Sequence, residues 1–188
     1  NKNKENLKLD FIKSNGNDYI IEKGNYNVNS PIIIKDKRNL IISSGVNLNF
    51  AKDTFIHIKN GDLIIDADNE DPVNLFSLKD PWNGIYVYGS KNKTILKNIK
   101  IFNVQEFDNN LYNLTGALNF YSSKIEIENL ELYNINAEDC INFVKSSFNI
   151  NNSKIYNCKS DGIDSDFSTG KVSDTLFENI GGDAFDTS

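Results

Sequence analysis

From Tyr19 onward, apolar residues come in short runs separated by turn formers. "YIIEKGNYNV", "PIII", "NLIISSGVNLNF", "FIHIKNGDLIIDA" and "VNLFSL" are rich in Ile, Val and Phe, and Gly24, Gly45 and Gly61 punctuate them among Asn and Asp neighbours. Strands joined by turns need this composition. No stretch keeps a 3.6-residue apolar period, because Asn, Gly and β-branched residues interrupt every candidate helix. The pattern predicts an all-β fold.

The second half of the chain repeats itself. Asp139, Asp161 and Asp183 lie 22 residues apart, and each is followed by a small residue, then Ile or Phe, then Asn or Asp. Gly116 holds the same slot 23 residues before Asp139. The segment "NIKIFNV" from Asn98 matches "NLELYNI", "NSKIYNC" and "DTLFENI" further on. The first of these intervals is 31 residues, and its excess falls in residues 105–115, which are predicted to form a loop extruded from one turn. A fixed period of this size marks a solenoid. About 22 residues accommodate three short strands, and equivalent residues of successive turns then stack at about 4.8 Å.

The reading is a parallel β-helix of six or seven rungs over residues 19–188, preceded by a tail and N-terminal cap over residues 1–18. The cap carries an apolar knot of Leu7, Leu9, Phe11 and Ile12. Ile101, Leu132, Ile155 and Phe177 are predicted to form an apolar column. Asn103, Asn134, Asn157 and Asn179 are predicted to form an inward-turned amide ladder. Because Ser188 falls inside a repeat, further rungs or another domain are expected after it.

Composition narrows the function. The formal net charge is −6, with one Arg and one His. The lysines are scattered, so the clustered basic footprint of a nucleic-acid binder is missing. No apolar run approaches the length of a membrane-spanning helix. Asn is the commonest residue, as suits a chain made of turns. Cys140 aligns with Ala117, Gly162 and Ala184, and Cys158 with Ile135 and Ile180. Their burial preference favours two buried free thiols, with a disulfide left open.

The segment "IIEKGNYNVNSPIIIKDKRNLIISSGVNLNF" resembles the opening of right-handed parallel β-helix proteins of the pectate-lyase-like superfamily, and the likeness extends over about residues 19–188. The chain is also similar to bacterial β-helix repeat proteins. Within the superfamily, "KSDGID" around Asp161, "EDCINF" around Asp139 and "GGDAFDTS" around Asp183 are similar to the active-site phrases of polygalacturonase-like glycoside hydrolases. By that resemblance Asp139, Asp161 and Asp183 are candidate catalytic carboxylates. Glu138 stands where the family has a further Asp, the order of the phrases is reversed, and the family's Gly-His-Gly and Arg-x-Lys elements do not follow.

Strand parity sorts the acids further. With Ile163 pointing inward, Asp164 and Asp166 point outward. Two columns result, Asp139–Asp161–Asp183 at a turn and Asn142–Asp164–Asp186 on the strand. Carboxylates about 5 Å apart repel by roughly 1 kcal/mol in water and more at lower dielectric. A hard cation would relieve this, so Asp161, Asp164, Asp183 and Asp186 are candidate Ca²⁺ ligands; an Asx-turn ladder is the plainer alternative. Trp82, Tyr86, Tyr88 and Tyr112 are expected to present aromatic surface for a sugar ring. The functional expectation is a non-catalytic extracellular or cell-surface scaffold that binds a polysaccharide or surface glycan, with Ca²⁺ as a stabilising ion. The alternative is a polysaccharide hydrolase, lyase or epimerase acting through the Asp139–Asp186 face.

Overall fold

A computed structural model describes residues 9–35, 37–108 and 113–187. Strands and turns account for the regular structure among these residues, and no helix occurs. A hairpin opens the fold, in which β1 (Ile12–Asn15) runs antiparallel to β2 (Asp18–Ile21). Rung 1 is β2, β3 (Gly24–Val28) and β4 (Ile32–Ile34), and rung 2 is β5 (Asn39–Ile42), β6 (Val46–Phe50) and β7 (Ile56–Lys59). Rung 3 is β8 (Leu63–Asp66), β9 (Val73–Phe76) and β10 (Ile85–Tyr88). In rung 4 a single strand, β11 (Thr94–Gln105), covers two sides; a small hairpin follows, β12 (Phe107–Asp108) with β13 (Asn113–Leu114), and β14 (Gly116–Tyr121) closes the rung. This pair lies within the predicted 105–115 extrusion, of which residues 109–112 are outside the described residues.

Rung 5 is β15 (Lys124–Asn136), again two-sided, and β16 (Asp139–Val144). Rung 6 is β17 (Ser147–Asn151), β18 (Lys154–Cys158) and β19 (Asp161–Asp166), and rung 7 is β20 (Thr169–Ser173), β21 (Leu176–Ile180) and β22 (Asp186–Thr187). Pairing between successive rungs is parallel throughout. The third strands make a seven-stranded sheet ordered β22-β19-β16-β14-β10-β7-β4, and the other two sides join as one folded sheet because β11 and β15 run across their shared corner.

Each corner is turned largely by a single left-handed residue. Asn98, Asn129, Asn152 and Asp174 turn the first, and Asn103, Asn134, Asn157 and Asn179 the second. Asn60, Gly89, Ser122, Lys145 and Phe167 turn the third, with φ between 48° and 67° across all three sets. Asn tolerates this conformation through local hydrogen bonding, which gives much of the chain's Asn a geometric reason. The second set does not turn inward as the sequence suggested. Asn134, Asn157 and Asn179 are exposed, because a left-handed corner residue aims its side chain off the outside of the bend. They still ladder: Asn179 Nδ2 donates to Asn157 Oδ1 at 3.1 Å, and Asn157 Nδ2 to Asn134 Oδ1 at 3.2 Å.

The core is a set of inward columns running along the coil. Ile101, Leu132 and Ile155 are fully buried in one, and Phe177 extends it half-buried. At the opening end, Leu9, Phe11 and Ile12 pack against the core, and Phe11 stacks on Tyr26 at 4.7 Å. The lone arginine fastens this cover. Arg38 Nη2 donates to Ser14 Oγ and to the carbonyls of Gly16 and Asp18, and its guanidinium lies 3.7 Å from the centre of the Tyr19 ring.

The cysteines form a disulfide, which overturns the expectation of free thiols. Cys140 begins the third side of rung 5 and Cys158 ends the second side of rung 6, so they flank one corner in adjacent rungs. Their Cα atoms are 6.0 Å apart, within bonding range. Aligning the repeats placed them in different slots and hid this, because the chain folds back at the corner between those slots.

Candidate functional site

The outward face of the seven-stranded sheet collects the chemistry. Register places His57, Tyr86, Asn119, Asn142, Asp164 and Asp186 in one row, a single residue per rung. Two positions further along each strand, Lys59, Tyr88, Tyr121, Val144 and Asp166 make a second row. At the start of the strands, Gly116, Asp139 and Asp161 are register partners. Asp183 continues that line, with its backbone N–H donating to Asp161 Oδ1 at 2.8 Å. The face therefore changes character along the coil, from basic in rung 2 through aromatic to acidic in rungs 5–7.

Electrostatics follow this order. His57 is buried, and desolvation, followed by the charges of Lys35 and Lys59, lowers its pKa to about 4, so the imidazole is neutral at pH 7. Tyr86 stacks on His57 at 4.8 Å and meets Tyr121 edge-on at 5.5 Å with an interplanar angle of 89°. Tyr88 is tilted 59° from Tyr86, and Lys59 Nζ lies 6.0 Å from its ring centre. Burial raises the Tyr121 hydroxyl above its ordinary pKa, and Asp166, Asp139 and Asp164 add to the effect.

Asp139 is the most perturbed acid described on this face. It is only 3% exposed. Burial first, then the charges of Asp164 and Glu138, raise its pKa to about 7, against the opposing pull of hydrogen bonds from Thr115 and Asn142. Asp164 is raised as well, by burial and then by Asp166 and Asp186. Asn142 spans the strand start, its Nδ2 donating to Thr115 Oγ1 at 2.9 Å and to Asp139 Oδ2 at 3.2 Å. Its Oδ1 is buried with no donor. One rung earlier, Asn119 does a similar job, accepting from the Gly116 N–H at 3.0 Å and donating to the Gly116 and Ile85 carbonyls.

The structure thus brings together the candidates Asp139, Asp161, Asp164, Asp183 and Asp186, with Tyr86 and Tyr88 two to four rungs away. Trp82 does not join them. It is fully buried, stacked on Phe50 at 4.0 Å, with its indole N–H donating to the Phe102 carbonyl at 3.1 Å. Parity arguments hold within a strand, whereas Trp82 lies before the left-handed Gly84, where alternation is broken and the ring turns into the core. Tyr112 lies outside the described residues. Asp161 is the first residue of β19 and so sits at the junction of turn and strand.

Sequence reading missed Asn119, Thr115 and His57 as parts of this face. Asn119 was findable, since it stands 23 residues before Asn142. It also missed a second aromatic row on another side of the coil, in which Phe76, Phe102, Tyr133 and Tyr156 stack within 15° of parallel at 4.8–5.2 Å. The inner pair, Phe102 and Tyr133, has a stacked ring on either side and so shows mainly edges to solvent.

The carboxylates of the site are distributed along two rows instead of around one point. Among the described residues, no three His, Cys, Asp or Glu side chains are grouped to hold a metal ion. No described helix is long and apolar enough to cross a membrane. Compared with known proteins, the chain matches no family model, no curated protein and no solved structure. The parallel β-helix rests on the chain's own strand pairing, and none of these comparisons ties the chain to the pectate-lyase-like superfamily.

Proposed function

We propose that the protein is a β-helix scaffold that binds a glycan along the outward face of its seven-stranded sheet. The carrying observation is the mutual orientation of Tyr86, Tyr88 and Tyr121. In the Phe76–Tyr156 row the rings are parallel and occlude one another, whereas Tyr88 is tilted 59° from Tyr86 and Tyr121 stands at 89° to it, which leaves part of the Tyr88 ring surface to a sugar. Tyr88 is 41% exposed. Beyond the rings the half-buried Asp164 and Asp166 and the exposed Asp186 continue the face, and rungs repeat at about 4.8 Å, close to the length of one pyranose, which suits a polymer lying along the coil.

The disulfide supports an oxidising compartment, hence the cell surface or exterior. Ca²⁺ at Asp161, Asp164, Asp183 and Asp186 is a secondary proposal, since a bridging ion would ease the repulsion between rungs. The test of the main reading is binding of the intact chain to a panel of immobilised polysaccharides. A Tyr86→Ala, Tyr121→Ala variant is expected to lose at least tenfold in affinity while keeping its melting temperature within a few degrees. Equal binding by the variant would sink the assignment of this face.

A second reading has its own observation. A buried carboxyl held protonated to about pH 7, beside carboxylates on adjacent rungs, is the pairing that general-acid catalysis of glycoside cleavage uses. In that reading Asp139 is the acid and Asp161 or Asp164 the second carboxylate. Release of new reducing ends from a polysaccharide by the wild type, abolished in Asp139→Asn, would establish it; its absence across the panel leaves binding alone.

A further inference from the structure

We propose that the acidic end of this face receives the free amino groups of a hexosamine-containing glycan, making the ligand a cationic amino-sugar polymer. The inference rests on the glycan reading above and names its substrate class.

Charge pairing elsewhere on the coil supplies the first reason. On the folded sheet, lysines and glutamates of neighbouring rungs meet in ion pairs, Lys93 with Glu126, Lys97 with Glu128, and Lys100 with Glu131. On the seven-stranded sheet the acids align with acids. Asp164 pairs in register with Asp186, and Asp139 with Asp161, and none of these four joins a lysine or arginine in an ion pair among the described residues. After burial, Asp166 and Asp186 are what push Asp164 above its usual range, against the opposing pull of a backbone hydrogen bond at Ser165.

Asn142 supplies the second, independent reason. It is 6% exposed, its amide nitrogen is committed to Thr115 and Asp139, and its oxygen is buried without a donor. It stands in the outward row between Asn119 and Asp164. An ammonium group brings three donors and no acceptor, and so serves both an orphan acceptor and neighbouring carboxylates.

Ligand number separates the two cations. A Ca²⁺ shell takes six to eight oxygens around one centre, and among the described residues no three His, Cys, Asp or Glu side chains are grouped in that way. An ammonium needs only one carboxylate at about 2.7–2.9 Å, and in a β-1,4-linked polymer the amino groups on one side recur at every second sugar, in step with every second rung. Lysines on one side of an extended peptide recur at about 6.7 Å, out of step with the rows. Tyr121, in rung 4, offers a ring to the sugar next to the acids.

The experiment is calorimetric titration of the intact chain, at low salt and near pH 6, with a β-1,4-linked glucosamine tetramer, its fully N-acetylated counterpart, tetralysine and CaCl₂. The expected result is that the free-amine tetramer binds at least tenfold tighter than the acetylated one, and that Asp164→Asn with Asp186→Asn removes this preference. Those substitutions delete like charges at partly or fully exposed sites, and an unchanged circular dichroism spectrum verifies the fold. Equal affinity for both tetramers overturns the amino-sugar inference and leaves the glycan reading standing. Binding of neither tetramer, with no other polysaccharide retained, defeats both. Tetralysine binding as tightly as the free-amine tetramer reassigns the face to a basic peptide, and stoichiometric Ca²⁺ uptake that blocks the tetramer reassigns it to a metal.

Discussion

Replacing Asp139 by Asn should stabilise the protein at neutral pH and leave it nearly unchanged in acid. The folded-state pKa is about 7, against an ordinary value of 3.8. A carboxyl raised in this way favours folding fully below its unfolded pKa, and that contribution is lost as pH rises through its folded pKa. Between about pH 4 and pH 7 the folded chain keeps a proton that the unfolded chain has released, so stability declines by about 1.4 kcal/mol per pH unit. The three-unit window amounts to on the order of 4 kcal/mol for this nearly buried group. For a chain of this size that is roughly 8–16 °C in Tm. Asn is isosteric and uncharged, can still accept from Asn142 or Thr115, and adds an amide donor next to the orphan Asn142 Oδ1. Melting curves of wild type and variant at half-unit steps from pH 4 to pH 8 measure the difference directly. The two Tm profiles should nearly coincide at pH 4 and separate steadily, with the variant higher. A difference that stays constant across the range refutes the burial-plus-repulsion account of Asp139.

Other expectations follow from the same geometry. The disulfide closes an 18-residue separation, so changing both cysteines to Ala should cost about 3 kcal/mol, read as a Tm fall of roughly 6–12 °C; reductant should lower the wild-type Tm and leave the variant's alone. Trp82→Ala should cost about 3–5 kcal/mol as a cavity mutation, measured by urea unfolding, while Trp82→Phe keeps stacking on Phe50 and leaves glycan affinity untouched. Arg38→Lys retains the charge but loses the planar fork, and amide exchange in β1 and β2 should accelerate at least tenfold while that in β16 and β19 is unaffected.

How much was legible in advance depended on whether a feature repeats along the chain or arises across a corner. The 22-residue beat of Asp139, Asp161 and Asp183 identified the solenoid, and it placed Ile101, Leu132 and Ile155 in one buried column. Parity within "DGIDSD" correctly set Ile163 inward and Asp164 and Asp166 outward. The misplacements all involve bends. Alternation says where a side chain points only while the backbone is extended, so Trp82 before Gly84 and the left-handed Asn134 and Asn157 escaped it. The Cys140–Cys158 pairing escaped for a related reason: alignment finds residues stacked along the coil, whereas a disulfide joins residues that face each other across a turn. The perturbation of Asp139 depends first on its burial and then on Asp164, from the next rung, and Glu138, and only the assembled face reveals the burial and the Asp164 contact.

The left-handed corners and in-register rows have a consequence for how such a chain can change its length. Deleting one residue inside β16 or β19 would shift everything after it by one position, exchanging core for surface on that side. Removing or duplicating a whole period does no such harm, since each rung meets its neighbour with the same parity and the same corner. Insertions are also admissible at the corners, as the Phe107–Leu114 hairpin illustrates. Heritable variation in this protein is therefore quantised. In-frame duplication of about 22 codons would extend the proposed binding face by one step of about 4.8 Å, and recombination between repeats is a direct route by which the length of that face could be tuned.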